Sequence, residues 1–174
     1  MLKEKAIYTV TYYDFSEHIA ETHLFSSKTK AKEAVSKIIN GYDEVHNSDD
    51  NDTSYFWYEH ITQNDWKFEN EDSYGWISIR KNKALVDEDN SVYVLMTIRW
   101  DPEWTSPYDP IDDDLKVQLF NSSRKAKEVG NHVAQDFERK NIYDIKRGFG
   151  GEVADLFKDE SLRGMVDVQK QQVM

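Results

Sequence analysis

The chain has no cysteine and only three prolines among its 174 residues. Without cysteine it can form no disulfide, no thiolate nucleophile and no cysteine-ligated metal site. It also has no apolar run near the roughly 18 residues that a membrane-spanning helix needs, and its first residues lack the apolar core of a secretory signal. We therefore predict a cytoplasmic protein that does not associate with membranes.

Aromatic side chains, by contrast, are abundant. They make up 13% of the chain and include five Trp, ten Tyr and eight Phe. A disordered acidic tail rarely carries so many rings, so this composition is typical of a folded protein with a packed core.

Negative charge is plentiful and unevenly placed. The chain carries 33 Asp and Glu against 22 Lys and Arg, a net charge of −11. Residues 41–114 account for −14, whereas residues 1–40 carry +1 and residues 115–174 carry +2. Binding to a nucleic-acid backbone or an anionic membrane needs a basic footprint, so we expect neither. A field of this sign instead attracts a basic protein surface.

An internal repeat organises the chain. Residues 24–33 read LFSSKTKAKE and residues 119–128 read LFNSSRKAKE, identical at seven of ten positions at a separation of 95. The match continues along one helical face. Its positions are Ala31, Val35, Ile38 and Tyr42 in the first copy, and Ala126, Gly130, Val133 and Phe137 in the second. We predict a duplication, with a first unit over 1–90 that contains an acidic insertion and a second unit over 91–174.

Each unit reads as strand, strand, helix and further sheet. This order predicts an α+β fold of antiparallel sheet, with the helices packed on one face. A turn and a short helix are predicted over residues 146–160. Strands are predicted over residues 7–14, 19–25, 54–61, 73–80, 92–100, 115–120 and 162–168.

The repeated LF-S-S-K-x-K-A pattern, which in both copies follows a predicted hairpin, resembles small uncharacterised proteins from phages and mobile elements of Gram-positive bacteria. The motif that carries this resemblance is a strand end, a helix cap and a helix start. It brings no catalytic, metal-binding or cofactor-binding residue with it, so it implies a structural unit and no chemistry.

Several chemistries have weak candidates. The five histidines lack the spacing of metal ligands on one element, and the Asp/Asn runs at 49–52, 87–90 and 112–114 lack the Gly and Glu of a calcium-binding loop. Paired carboxylates around Trp104 would suit glycoside chemistry, but with so many acids the pairing is unspecific. The glycine-rich stretch 147–153 favours a turn over a phosphate cradle. We predict no cofactor, no metal and no catalytic residue.

Both predicted helices begin with cations, which the helix dipole disfavours. Lys28, Lys30 and Lys32 occupy the start of one helix, and Arg124, Lys125 and Lys127 the start of the other. Either inheritance through the duplication or neutralisation by the acidic central segment explains them better than an anion-binding site does.

The leading hypothesis is therefore a non-catalytic protein whose acidic, aromatic segment binds a basic partner. If the resemblance to phage proteins extends to function, the partner is a nucleic-acid-binding host protein, such as a defence nuclease, and the chain imitates nucleic-acid charge as anti-restriction and anti-CRISPR proteins do. The predicted partner-binding residues are Asp49, Asp50, Asp52, Asp101, Glu103, Trp104, Asp109, Asp112, Asp113 and Asp114.

Two alternatives remain open. One is a small-molecule or carbohydrate binder, or an enzyme, with its site between the two repeat units, since such junctions often form pockets. The other is a toxin-immunity protein, which would present the same acidic interface.

Overall fold

A computed structural model describes residues 2–14, 19–46, 57–69, 74–99, 115–147 and 153–174. The chain divides into two compact units. The N-terminal unit comprises Lys5–Lys83 with Val173–Met174, and the C-terminal unit comprises Ala84–Gln172 with Met1–Glu4. Within the described residues, no helix is both long enough and apolar enough to cross a membrane.

The N-terminal unit is built on a five-stranded sheet with the order β2-β1-β5-β4-β3. The pairs β1–β2, β3–β4 and β4–β5 are antiparallel. Met174 is bonded to the end of β2, which is an edge strand of this sheet. The Met174 amide donates to the Leu24 carbonyl at 2.9 Å, and the Ser26 amide donates to the Met174 carbonyl at 2.7 Å. The elements, of which β1 and β5 run two or three residues past the bounds of the unit, are β1 (Lys3–Asp14), β2 (Ile19–Phe25), α1 (Lys28–His46), β3 (Trp57–Thr62), β4 (Asp65–Glu69) and β5 (Tyr74–Val86).

The C-terminal unit has a second five-stranded sheet, with the order β7-β6-β10-β9-β8 and antiparallel pairing throughout. The two sheets have the same strand order when β6 to β10 are matched with β1 to β5 in chain order. The helices also fall at the same point, after the second strand of each set. The elements are β6 (Ser91–Arg99), β7 (Leu115–Phe120), α2 (Ser123–Arg139), β8 (Asp144–Arg147), β9 (Val153–Lys158) and β10 (Ser161–Gln172).

Serine side chains cap both helices, as the sequence predicts. The Ser27 hydroxyl accepts a hydrogen bond from the Lys30 amide at 3.3 Å, and the Ser122 hydroxyl accepts one from the Lys125 amide at 3.5 Å. Each bond satisfies one of the amides that the first helical turn leaves without a partner. The caps therefore fix the start of each helix immediately after its hairpin.

The core of the N-terminal unit lies between α1 and its sheet. Ala31 and Val35 of the helix are buried in one cluster with Val10 of β1, Phe68 of β4 and Ile77 of β5. Tyr12 stacks on Phe68 with ring centroids 5.7 Å apart.

The core of the C-terminal unit has the same layout. Ala126 and Ala134 of α2 share a cluster with Leu95 of β6, Leu156 of β9 and Val166 of β10. Gly130 occupies the helix position that Val35 holds in the other unit and is buried as well.

The two sheets also share a register. Tyr8 lies opposite Phe25 in the pairing of β1 with β2, and Tyr93 lies opposite Phe120 in the pairing of β6 with β7. Both tyrosines pack against the helix-facing core of their own unit. The same pair of residue types thus stands at the same position of both hairpins.

Burial is not confined to the face that meets the helix. Along β1, Ile7, Thr9, Thr11 and Tyr13 point away from the helix-facing cluster, yet each is at most 4% exposed. Hydroxyls on this face find partners: Thr11 and Thr22 lie within 3.4 Å of each other, and Thr9 donates to the Arg80 carbonyl at 3.3 Å. Both faces of β1 are therefore covered.

The predicted α+β class with antiparallel sheet is confirmed, but one local prediction is wrong. Residues 146–160 contain no helix in their described part; β8 ends at Arg147, and Val153–Lys158 forms β9. Ala154 and Leu156 alternate into the core, which is the period of a strand. The sequence also gave no sign of β4, which turns back from β3 to join β5.

Candidate functional site

The predicted partner-binding residues fall in two stretches of the chain, 47–56 and 100–114, which connect α1 to β3 and β6 to β7. Whether these residues lie together in space stays a prediction, because the structure does not describe either stretch. All ten lie outside the described residues: Asp49, Asp50, Asp52, Asp101, Glu103, Trp104, Asp109, Asp112, Asp113 and Asp114.

The excess negative charge nevertheless has a clear place in the chain. The described residues contain all 22 Lys and Arg together with 20 Asp and Glu. The remaining residues contain 13 Asp and Glu and no Lys or Arg. Nine of those 13 acids lie in 47–56 and 100–114. The framework of helices and strands is close to neutral, and the net charge comes from the stretches between elements.

These two acidic stretches are also where the units differ in length. Ten residues separate α1 from β3, whereas four separate α2 from β8. Fifteen residues separate β6 from β7, whereas four separate β1 from β2. Each unit thus carries one long acidic connection at a point where the other has a short one.

Acids on the framework pair locally with framework cations. Arg80 of β5 binds Asp65 of β4, and on α2 the Arg124 Nε lies 3.2 Å from the Glu128 Oε1. Such surface pairs contribute little to stability, about 0–1 kcal/mol each. They also cancel framework charge over short distances.

One of the candidate calcium runs, Asp87–Asn90, forms the turn between β5 and β6. The Ser91 amide donates to the Asp87 carboxylate at 2.7 Å. The Lys170 ammonium lies 3.1 Å from the Asp87 carboxylate and 3.8 Å from that of Asp89. A side-chain cation therefore lies where a calcium ion would bind these two acids. The other two runs lie outside the described residues.

The electrostatic effect of these contacts is a pair of opposite pKa shifts. The amide of Ser91, followed by the ammonium of Lys170, holds the pKa of Asp87 below its usual value. The Asp87 carboxylate in turn raises the pKa of Lys170. Nothing in the sequence pattern indicated this pair, since the two residues are far apart in the chain and meet only when β10 pairs with β6.

The other weak candidates can be placed in part. Among the described residues, no three His, Asp or Glu side chains converge to hold a metal ion. The glycine-rich stretch leads from β8 into β9, so no helix N-terminus follows it to support a phosphate. No described carboxylate forms an ion pair with Lys28, Lys30 or Lys32 at the start of α1.

A small depression in the N-terminal unit was not predicted. It has a volume of about 210 Å³ and opens between α1 and the turn that joins β3 to β4. Its lining residues are Lys32, Val35, Ser36 and Ile39 of α1, Gln63 of the turn and Trp66 of β4. The helical positions are spaced by three and four residues, which places them on one face, but only the fold brings Trp66 beside them.

Comparison of the chain with protein-family models, with curated proteins and with solved structures gave no match.

Proposed function

We propose that this is a non-catalytic binding protein, built on two copies of one unit, whose acidic connections 47–56 and 100–114 engage a basic protein surface. The observation that carries the proposal is the division of charge: a near-neutral framework and connections that contain acids but no Lys or Arg.

The duplicated scaffold is supported by agreement at several independent levels. The sheets share one strand order, the helices share serine caps, and the hairpins share the Tyr–Phe pair. In the described part of each unit, the apolar residues of the helix pack against one side of its sheet, which favours helices on one face of each copy.

Two glycines add a further correspondence. A Cβ on Gly75 would lie 2.1 Å from the Tyr13 carbonyl oxygen and 2.2 Å from the Phe68 ring. A Cβ on Gly164 would lie 2.2 Å from the Ile98 carbonyl oxygen and 3.0 Å from a Leu156 methyl. The glycine therefore allows β5 to approach β1 closely in one unit and β10 to approach β6 closely in the other. In each unit it also lies beside a core residue of the neighbouring strand, β4 or β9.

The binding role is supported by where the acidic connections occur. A duplication supplies two equivalent connections at each point, and here one of each pair is long and acidic while the other has four residues. Connections that vary on a constant framework commonly carry binding function. Uncompensated negative charge gives such a segment long-range attraction for cationic surfaces.

The chemistry of the partner follows from the charge and from the resemblance to phage proteins. A protein that binds nucleic acid presents a basic surface shaped for phosphates, and a run such as Asp112–Asp114 offers carboxylates in close succession. We infer that the chain blocks a nucleic-acid-binding host protein by occupying its phosphate-binding surface, without binding nucleic acid itself.

The test is capture from a bacterial cytoplasmic extract at about 50 and 200 mM salt, a range over which contacts to many charges weaken strongly. Bait chains are the unaltered protein and the triple variant D112N/D113N/D114N. The matched control is E33Q/E138Q/E160Q, which removes the same charge from exposed framework positions. We expect the captured partner to be released at high salt, lost by the aspartate variant and kept by the control.

A partner that both variants retain equally, or that remains bound at the higher salt, would contradict the proposal. For a captured nuclease, a gel-shift assay adds a second criterion. The protein should prevent the nuclease from binding DNA while producing no shift of DNA on its own.

A further inference from the structure

The depression beside α1 combines an apolar floor with a polar rim. Val35 is 2% exposed and belongs to the core, and Ile39 and Trp66 pack against that core from its edge. Lys32, Ser36 and Gln63 are exposed around them. An aromatic wall, a short apolar floor and a few polar groups are the features that small-molecule sites share.

The rim offers one positive charge. Within the described part of the chain, no carboxylate forms an ion pair with the Lys32 ammonium. Ser36 donates its hydroxyl proton to the Lys32 carbonyl at 3.1 Å, so the oxygen of this exposed hydroxyl can still accept a hydrogen bond. The charge on this rim therefore favours an anionic ligand.

The C-terminal unit differs at two of these positions. Trp66 lies opposite Ile77 in its sheet, and Ala154 lies opposite Val166 at the corresponding position of the other sheet. The C-terminal unit therefore has a methyl group where the N-terminal unit has an indole ring. At the helix position that corresponds to Ser36, the Asn131 side-chain oxygen accepts a hydrogen bond of 2.6 Å from Arg147. The depression is thus a feature in which the two units differ.

We propose that this depression binds a small organic carboxylate with a single flat ring. The carboxylate pairs with the Lys32 ammonium, and the ring lies against Trp66 above Val35 and Ile39. The volume of about 210 Å³ is sufficient for one ring. An exposed ion pair adds little free energy, so the ring contact provides most of the affinity, and we expect a Kd of about 1 mM. This inference is independent of the proposed acidic interface.

The test uses the full chain labelled with ¹⁵N and titrated with benzoate, with uncharged benzamide as the comparison ligand. The indole N–H resonance of Trp66 is assigned by its disappearance in W66F. Benzoate should shift this resonance saturably, and K32Q should weaken benzoate binding about three- to fivefold while leaving benzamide binding unchanged.

Lys30 supplies the matched control, because it is exposed on the same helix but does not line the depression. K30Q should bind benzoate as the unaltered protein does. Both lysine variants change exposed side chains and should keep the dispersed spectrum of the folded chain. A Trp66 resonance that does not respond to benzoate would overturn the proposal, as would equal weakening by K30Q and K32Q.

Discussion

The N-terminal and C-terminal units place similar residues at the same points of their sheets, yet they connect those sheets differently. Tyr8 and Phe25 correspond to Tyr93 and Phe120 in strand pairing. The connections do not correspond: fifteen residues follow β6 where four follow β1, and ten follow α1 where four follow α2. The comparison separates what the framework needs in order to fold from what each unit adds to it.

The longer stretches are also the acidic ones, which connects this difference with the proposed function. Packing restricts a core position, whereas a connection on the surface can take almost any length or charge at small cost in free energy. Because the framework carries 22 basic and 20 acidic residues, it needs no acidic connection to balance its own charge.

The largest expected effect concerns the paired glycines. G75A and G164A should each lower the free energy of unfolding by about 3 kcal/mol, because the new methyl group would meet a backbone carbonyl on the neighbouring strand. Urea denaturation followed by circular dichroism measures the change.

Gly41 gives the control for the glycine pair. It lies in α1 with nothing within 4 Å of an added Cβ, so G41A should stabilise the chain by about 0.5–1 kcal/mol. If only one of the two strand glycines proves sensitive, the units do not share this close strand approach and the proposed equivalence fails at that point.

A smaller effect is expected at the helix caps. S27A and S122A should each cost about 1 kcal/mol, since each removes the acceptor for one amide of the first turn. The same denaturation experiment applies, with S26A as a neighbouring exposed control that should change little. Loss of stability at one cap alone would show that the two helices start differently.

The smallest effect distinguishes the units, because it involves the Asp87–Lys170 pair of the C-terminal unit. The pKa of Asp87 is lowered by folding, so its contribution to stability is present above its unfolded pKa of about 4 and is lost as pH falls through the lowered value. The raised pKa of Lys170 makes that residue's contribution disappear only at strongly basic pH.

The corresponding measurement is the urea midpoint of the unaltered chain and of D87N between pH 2 and pH 7. The difference between the two proteins should be greatest near neutrality and should shrink as the acid is protonated. A difference that stays constant over this range would mean that the pair does not contribute as described.

Features that depend on neighbouring residues could be predicted from the sequence. The serine caps and the helix face that buries Ala31 and Ala126 depend on residues three or four positions apart, so residue type and spacing identified them. The hairpin strands Ile19–Phe25 and Leu115–Phe120 were predicted with the bounds that the structure shows.

Prediction from the sequence failed where the outcome depended on distant parts of the chain. The run Val153–Lys158 is too short for its period to decide between helix and strand, and pairing with β8 and β10 decides it. Both faces of β6 are apolar and buried, and only the tertiary contacts show that Leu95, rather than its neighbours Val94 and Met96, shares a cluster with α2. The Lys170–Asp87 pair and the Trp66 depression likewise depend on tertiary contacts.

The proposed binding role is tested by replacing residues 100–114 with the sequence of residues 15–19. When the two hairpins are aligned at their Tyr–Phe pairs, residues 15–19 occupy the place in the first hairpin that residues 100–114 occupy in the second. The shortened chain and the unaltered chain are used as baits at about 50 mM salt, and captured proteins are quantified by mass spectrometry. We expect a stably folded chain that no longer captures the basic partner. A shortened chain that still captures this partner in full would contradict the proposed role.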